Sequence, residues 1–167
     1  MASYSASLET PLGRLFIGAG EEAILSLSWQ GTGTPDAPTP LLRQAILELR
    51  AYFSGRLKAF DLPLAPHGTA FDKRVWEAMR AIPYGKTSSY GAIAGALGTS
   101  ARAVGRASSR NPIPIIIPCH RVVATHGLGG YSGGEGLPTK ERLLALEGGF
   151  LFAPANRAAG PSRPTRR

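Results

Sequence analysis

An α+β fold is predicted, with strands and one helix in the first 65 residues followed by a mostly helical part that carries a helix-turn-helix pattern. Three observations predict it. Two strand-like runs, "RLFIGAG" and "AILSLSW", sit close together near the start of the chain. Apolar residues recur at three- and four-residue spacing in "PLLRQAILELRAYFSGR" and again in "TAFDKRVWEAMRAI". The stretch "TSSYGAIAGALGTSARAVGRASSR" then splits at Gly98-Thr99 into two short helical pieces.

In chain order, Glu21 and Glu22 separate the two strand-like runs and form the expected hairpin turn. "GTGTPDAPTP", residues 31 to 40, breaks all regularity and reads as a loop. From Pro40 an amphipathic helix runs toward Gly55, which lies beyond its end, and "FDLPLAPHG" leaves it in extended form. In the second part, Phe71, Val75, Trp76 and Met79 share one face of a helix that stops at Pro83-Tyr84-Gly85. A short helix starts at about Ser89, and a second starts from Ser100, whose hydroxyl can cap it. The apolar run "IIIPCHRVV" reads by composition as a buried strand, "ATHGLGGYSGGEGLP" as a glycine-rich loop, and "TKERLLALEGG" as a last helix with Thr139 as its cap. Three segments follow: residues 1–65, an α+β domain; residues 66–150, a helical domain with the helix-turn-helix; and residues 151–167, a disordered basic tail.

The totals exclude several classes of function. No run approaches the ~20 apolar residues that span a bilayer, and "MASYSASLET" lacks the basic start and apolar stretch of an export signal, so no membrane association and a cytoplasmic location are expected. The single cysteine can form no internal disulfide and is too few for a thiolate-rich zinc site. The formal charge of +8 is unevenly spread: residues 1 to 65 carry five Lys or Arg against six acidic residues, residues 66 to 150 carry ten against five, and the remainder adds four arginines. A polyanion-binding surface would therefore lie in the second part, although a basic surface kept for solubility fits the charge equally well.

Two features carry chemistry. In "SARAVGRASSR" the residues between the arginines are small, and Arg102, Arg106 and Arg110 fall at four-residue spacing on one face. Such a helix can press into a nucleic-acid groove, or can simply be exposed with solvated arginines. The second feature is Cys119. Free cysteine is usually a small buried hydrophobe, yet Pro118 interrupts a regular central strand, and His120 and Arg121 are costly in a dry core. A thiolate is the nucleophile, and cationic or hydrogen-bonding neighbours lower a thiol pKa. Because neighbouring strand residues face opposite ways, His120 can assist Cys119 only if the backbone turns between them or a water bridges them.

"NPIPIIIPCHRVV" closely resembles the active-site segment of the O6-alkylguanine-DNA alkyltransferases, the methylated-DNA–protein-cysteine methyltransferases. The likeness extends over about residues 68 to 149 through "TAFDKRVWEAMRAIPYGKTSSYGAIA", "SARAVGRA", "GGYSGG" and "LLALEG", in the family's order. It implies a ribonuclease-H-like first domain, a winged-helix-like second one, and a DNA repair protein that moves an alkyl group from O6 of guanine onto Cys119, irreversibly and once per molecule. O4-alkylthymine is a further substrate that the likeness leaves open. On this resemblance, Cys119 is the acceptor, His120 the base through a bridging water, and Glu147 its orienting acid. Tyr90 donates toward the guanine ring, and Asn111 holds the turn beside the reactive segment. The carbonyls of Cys119 and Val122 and the amide of Ser132 read the base, with Tyr131 as a pocket wall. Arg102 fills the place of the flipped nucleotide, and Ala101, Ala103, Gly105 and Arg106 line a helix in the minor groove.

The same resemblance implies double-stranded DNA as partner, no cofactor, no metal, and a monomer that can act cooperatively on DNA. One departure is visible: "YSGGEGLPTK" is longer than the family's usual stretch to its lysine, so the pocket-lining role of Lys140 does not carry over directly. The residues by themselves admit two rivals, a DNA-binding module that senses alkylated bases without chemistry, and a cysteine hydrolase using Cys119 and His120. Presence of the cysteine argues against the first, and a hydrolase has no use for a groove-shaped helix.

Overall fold

The computed structural model describes residues 3–148, and the expected basic tail lies outside them. The α+β class is as expected. Three antiparallel strands, β1 (Tyr4–Thr10), β2 (Gly13–Ala19) and β3 (Ile24–Ser28), form a sheet in the order β1-β2-β3. β1 pairs with β2 from Tyr4 opposite Ala19 to Thr10 opposite Gly13. β1 is an addition to the expected runs, since "YSASLET" offers the eye few large apolar residues. Small ones suffice here, because Ala6, Ser7 and Leu8 are all buried. The next element, α1 (Pro40–Phe53), is capped by Thr39, whose hydroxyl accepts from the Leu42 amide at 3.2 Å. It lays Leu42, Ala45, Ile46, Leu49 and Tyr52 into the core.

In the second part, α2 (Ala70–Arg80) opens with a reciprocal cap in which Thr69 and Asp72 satisfy each other's backbone amides. α3 (Tyr90–Leu97) follows the two-residue β4 (Ser88–Ser89) and ends at Gly98, whose left-handed backbone (φ 68°) is what a residue with a Cβ resists. Ser100 caps α4 (Ala101–Ser109) through the Ala103 amide at 3.1 Å, as expected. α4 is locked to α2 twice. Trp76 Nε1 donates to the Ala107 carbonyl at 2.9 Å, and Arg110, just past α4, grips buried Asp72 with Nη2 to Oδ1 at 2.6 Å. Arg110 therefore does not join Arg102 and Arg106 on a free face: a buried carboxylate needs a cation, and Arg110 supplies it. Asp72→Ala removes both the cap and this pair, the latter half exposed on the arginine side, and is expected to cost about 1–2 kcal/mol in denaturant unfolding. Arg110→Ala should cost clearly less. Equal losses would mean that the ion pair outweighs the cap.

The run ending at Cys119 is not the expected strand. Pro112, Pro114 and Pro118 remove three ladder donors, and the backbone folds on itself, with the Ile117 amide donating to the Ile113 carbonyl at 2.9 Å. Ile115 adopts φ 73°, a left-handed conformation that costs a β-branched residue on the order of 1–3 kcal/mol. Cys119–Arg121 then form one 3₁₀ turn, followed by β5 (Val122–Val123), which runs parallel to β4. The last helix, α5 (Leu137–Leu146), begins two residues before the expected cap, after Gly136. Thr139 is instead buried inside its first turn, where its hydroxyl accepts from the Glu135 amide at 2.9 Å. Among the described residues no helix is long and apolar enough to cross a membrane.

Candidate active site

The backbone turns between Cys119 and His120, since Cys119–Arg121 form a 3₁₀ turn and not an extended strand. Cys119 retains 6% exposure and lines a cavity of about 740 Å³. That cavity also meets Tyr90 of α3, Ala101 and Gly105 of α4, Asn111, and Tyr131 and Ser132 of the glycine-rich loop. The side chain of Asn111 ties the Cys119 segment down, donating to the Ile117 carbonyl at 2.8 Å while accepting from the Ile113 amide at 3.0 Å. Gly129 lets the loop pass close over Tyr90: a Cβ there would stand 2.6 Å from the ring.

His120 points away from the cavity into the protein. Its Nε2 lies 2.7 Å from Glu147 Oε2, and both side chains are fully buried. Glu147 is a hub. It also accepts from the Tyr52 hydroxyl of α1 at 2.6 Å and from Arg121 through Nε at 2.7 Å and Nη2 at 3.1 Å, with a longer contact from the Gly85 amide at 3.4 Å. Burial alone would push this carboxyl up, but the hydrogen bonds from His120, Arg121 and Tyr52 outweigh it and hold the pKa at about 2. An ionised carboxylate only accepts, so Nε2 carries the ring proton and Nδ1 carries the lone pair. Nδ1 is buried without a protein hydrogen-bond partner.

Burial pushes the Cys119 thiol above its ordinary range, against the opposing pull of Asn111 and Lys140, and pushes His120 below its own. The resting pair is therefore a thiol beside a neutral imidazole. This reverses the expected lowering of the thiol by cationic neighbours, because burial of the thiol outweighs them. Tyr90, raised chiefly by burial, stays protonated and donates to the Gly130 carbonyl at 3.3 Å.

Lys140 is completely buried, and its ammonium donates to the carbonyls of Val122 at 2.6 Å, Leu128 at 2.5 Å and Gly130 at 3.0 Å. It clamps the glycine-rich loop to the Cys119 segment. Val122 itself is buried and does not line the cavity. Arg102 and Arg106 are exposed on α4, with Ala103 between them part-buried. Sequence reasoning missed Tyr52, which lies 95 positions from its acid, and the part of the cavity wall formed by Ser26, Leu27 and Ser28 of β3 with Trp29 just after it. Arg121 could have been found, because a guanidinium inside an apolar run demands a buried acid. Among the described residues no group of His, Cys, Asp and Glu is placed to hold a metal ion.

Two family models match the chain. "6-O-methylguanine DNA methyltransferase, ribonuclease-like domain" covers residues 3–66, and "6-O-methylguanine DNA methyltransferase, DNA binding domain" covers residues 70–149. Among named relatives, the methylated-DNA–protein-cysteine methyltransferase of Methanosarcina acetivorans is 44% identical over 155 residues, spanning 87% of this chain and 98% of the relative. The constitutive one of Bacillus subtilis is 42% identical over 158 residues, spanning 87% and 95%. Among solved structures, Mycobacterium tuberculosis OGT in complex with DNA superposes with a TM-score of 0.77 at 43% identity, covering 87% of this chain and 92% of that one.

Proposed function

We propose, for a chain that belongs to the 6-O-methylguanine DNA methyltransferase family, a specific route by which its own residues carry out the repair. The protein is a DNA repair enzyme of the methylated-DNA–protein-cysteine methyltransferase type, which moves an alkyl group from DNA to a cysteine. We assign the acceptor role to Cys119, the only cysteine present. The single observation that carries the assignment is the placement of its sulfur in the cavity with the Glu147-bound His120 on the adjoining residue.

In this reading the DNA-binding unit spans residues 66–150, after an α+β unit over residues 1–65, and α3 and α4 act as a helix-turn-helix. α4 enters the minor groove, where Ala101, Ala103 and Gly105 permit close approach, Arg106 meets phosphate, and Arg102 fills the space left by a flipped guanine. Ser132 N–H and the carbonyls of Cys119 and Val122 read the base, the latter through its remaining lone pair, since a carbonyl can accept twice. Lys140, unassigned by the family likeness alone, shapes this edge of the pocket. The protein works in the cytoplasm as a monomer, without a cofactor.

The chemistry balances within the site. Sγ of Cys119 attacks the alkyl carbon as the bond from that carbon to O6 breaks. The thiol proton passes through one water to Nδ1 of His120, whose gain of charge Glu147 stabilises. The departing guanine is neutralised at its ring by the Tyr90 phenol, which recovers its proton from the imidazolium by way of solvent. The product thioether has no ready hydrolytic route back to thiol, so each molecule acts once.

Incubation with duplex DNA containing O6-methylguanine is expected to add the mass of one methyl group to the peptide holding Cys119, and Cys119→Ser should show no gain. A base-sensing module would bind the same DNA with no change in mass, and a hydrolase would turn over repeatedly on an ester. Because burial depresses His120, the single-turnover rate should stay level as pH falls through the ordinary imidazole value of 6.5 and drop only below it. A rate that climbs steadily with pH across neutrality would point instead to a preformed thiolate.

A further inference from the structure

Part of the cavity wall comes from outside the proposed DNA-binding unit. β3 contributes Ser26, Leu27 and Ser28, with Trp29 directly after it. Its position against the active-site turn is fixed by the backbone, because the Leu27 amide donates to the Pro112 carbonyl at 2.9 Å. Trp29 is itself held: Nε1 donates to the Leu12 carbonyl at 3.1 Å, and the ring meets Tyr131 edge-on, with centroids 6.4 Å apart and planes at 82°. The six-membered edge lies so close to the loop that a Cβ on Gly133 would stand 2.6 Å from Trp29 Cζ3. Tyr131 and Gly133 flank Ser132, and all three line the same cavity as the sulfur.

Resting on the alkyl-transfer reading above, we infer that Trp29 is a specificity-determining residue: by backing the Tyr131–Gly133 wall it sets how large an alkyl group the site accepts. A flipped base has to enter past α4, because Ala101 and Gly105 rim the cavity there, so the substituent on O6 is directed inward, past Cys119, toward the sheet side. The methyl group reaches no farther than the sulfur. A bulkier substituent, such as benzyl, needs room where Tyr131 stands, and Tyr131 cannot give way while Trp29 buttresses it. The N-terminal sheet thus serves as a stop for the substituent and not only as a scaffold.

The test compares the wild type, Trp29→Ala and Trp29→Phe in single-turnover reactions on duplexes carrying O6-methylguanine or O6-benzylguanine, read as mass added to the Cys119 peptide. Thermal melting of each variant is recorded alongside. Shaving the ring to alanine should raise the benzyl-to-methyl rate ratio by roughly tenfold or more, the scale on which an apolar pocket sorts substrates by size. The methyl rate should itself fall as the Tyr131–Gly133 wall loosens, so the ratio within each variant is the readout, and phenylalanine, a smaller ring in the same place, should give an intermediate ratio even if the alanine variant melts too low to assay. A ratio that stays put in Trp29→Phe and Trp29→Ala, or methyl and benzyl rates that fall in step, overturns the inference while leaving alkyl transfer intact. No mass gain by the wild type on either duplex overturns both.

Discussion

Glu147→Gln is expected to destabilise the protein by about 3–5 kcal/mol, because the amide leaves the Arg121 guanidinium buried without its counter-charge. Arg121 has little contact with water: it is 7% exposed, and besides Glu147 its guanidinium donates to the Ile82 carbonyl at 2.7 Å. The substitution also puts an amide NH2, itself a donor, where one carboxylate oxygen accepted, so Tyr52, His120 and Arg121 compete for the one remaining oxygen. Alkyl transfer should slow by roughly a hundredfold, the lower end of what a positioned base contributes, since His120 loses the group that fixes its tautomer. The acid limb of stability supplies an independent check. The folded carboxyl sits at about 2 against an ordinary value of 4.5. Its contribution is therefore fully present above the ordinary value and is lost as pH falls toward the folded one. In the variant that limb should flatten. A glutamine variant with wild-type rate and an unchanged acid limb would remove Glu147 from the relay.

Lys140→Met should be nearly as damaging by a different route. The thioether fills the space but donates nothing, and the carbonyls of Val122, Leu128 and Gly130 lose their common partner. The buried Val122 carbonyl bears most of the loss, so the stability cost is expected at about 2–3 kcal/mol. The rate should fall by roughly ten- to a hundredfold, because the loop carrying Tyr131 and Ser132 is no longer fixed against the Cys119 segment and small misplacements at a reacting centre are expensive. A pH signature separates this role from mere packing. Burial brings the Lys140 ammonium down to about 8, so between that value and the ordinary 10.5 only the unfolded chain keeps the proton, and wild-type stability should gain with rising pH from this group. The methionine variant should show no such alkaline gain. If both proteins change alike, the lysine is not the group responsible.

Much of the site could be read from the sequence because its signals are local. Cys119 and His120 are adjacent, the cap at Ser100 obeys a short-range rule, and Gly98 marks its turn by residue type alone. Glu147 was reached only through a family likeness, since nothing within its own helix end distinguishes it from a surface carboxylate. What stayed hidden was settled by distant partners. Arg110 looks like a third groove-facing arginine until buried Asp72 is placed beneath it, and Thr139 looks like a cap until Gly136 starts the helix earlier. The apolar run before Cys119 has strand composition, yet three prolines deny it a ladder, a constraint visible in the sequence but outweighed there by the isoleucines. The longer loop before Lys140 obscured its position, whereas the structure shows that the extra residues leave the lysine pointing back into the loop it follows.

The Tyr52 to Glu147 hydrogen bond joins positions 95 apart in the chain, and this has a consequence for biosynthesis. A polypeptide emerging from the ribosome can assemble the sheet and α1 early, but Tyr52 then waits with a polar group turned inward until almost the whole described chain has been made. Until Glu147 arrives, His120 and Arg121 also lack their acceptor, so on the proposed relay a nascent chain stopped short of it would leave Cys119 without its route for the proton.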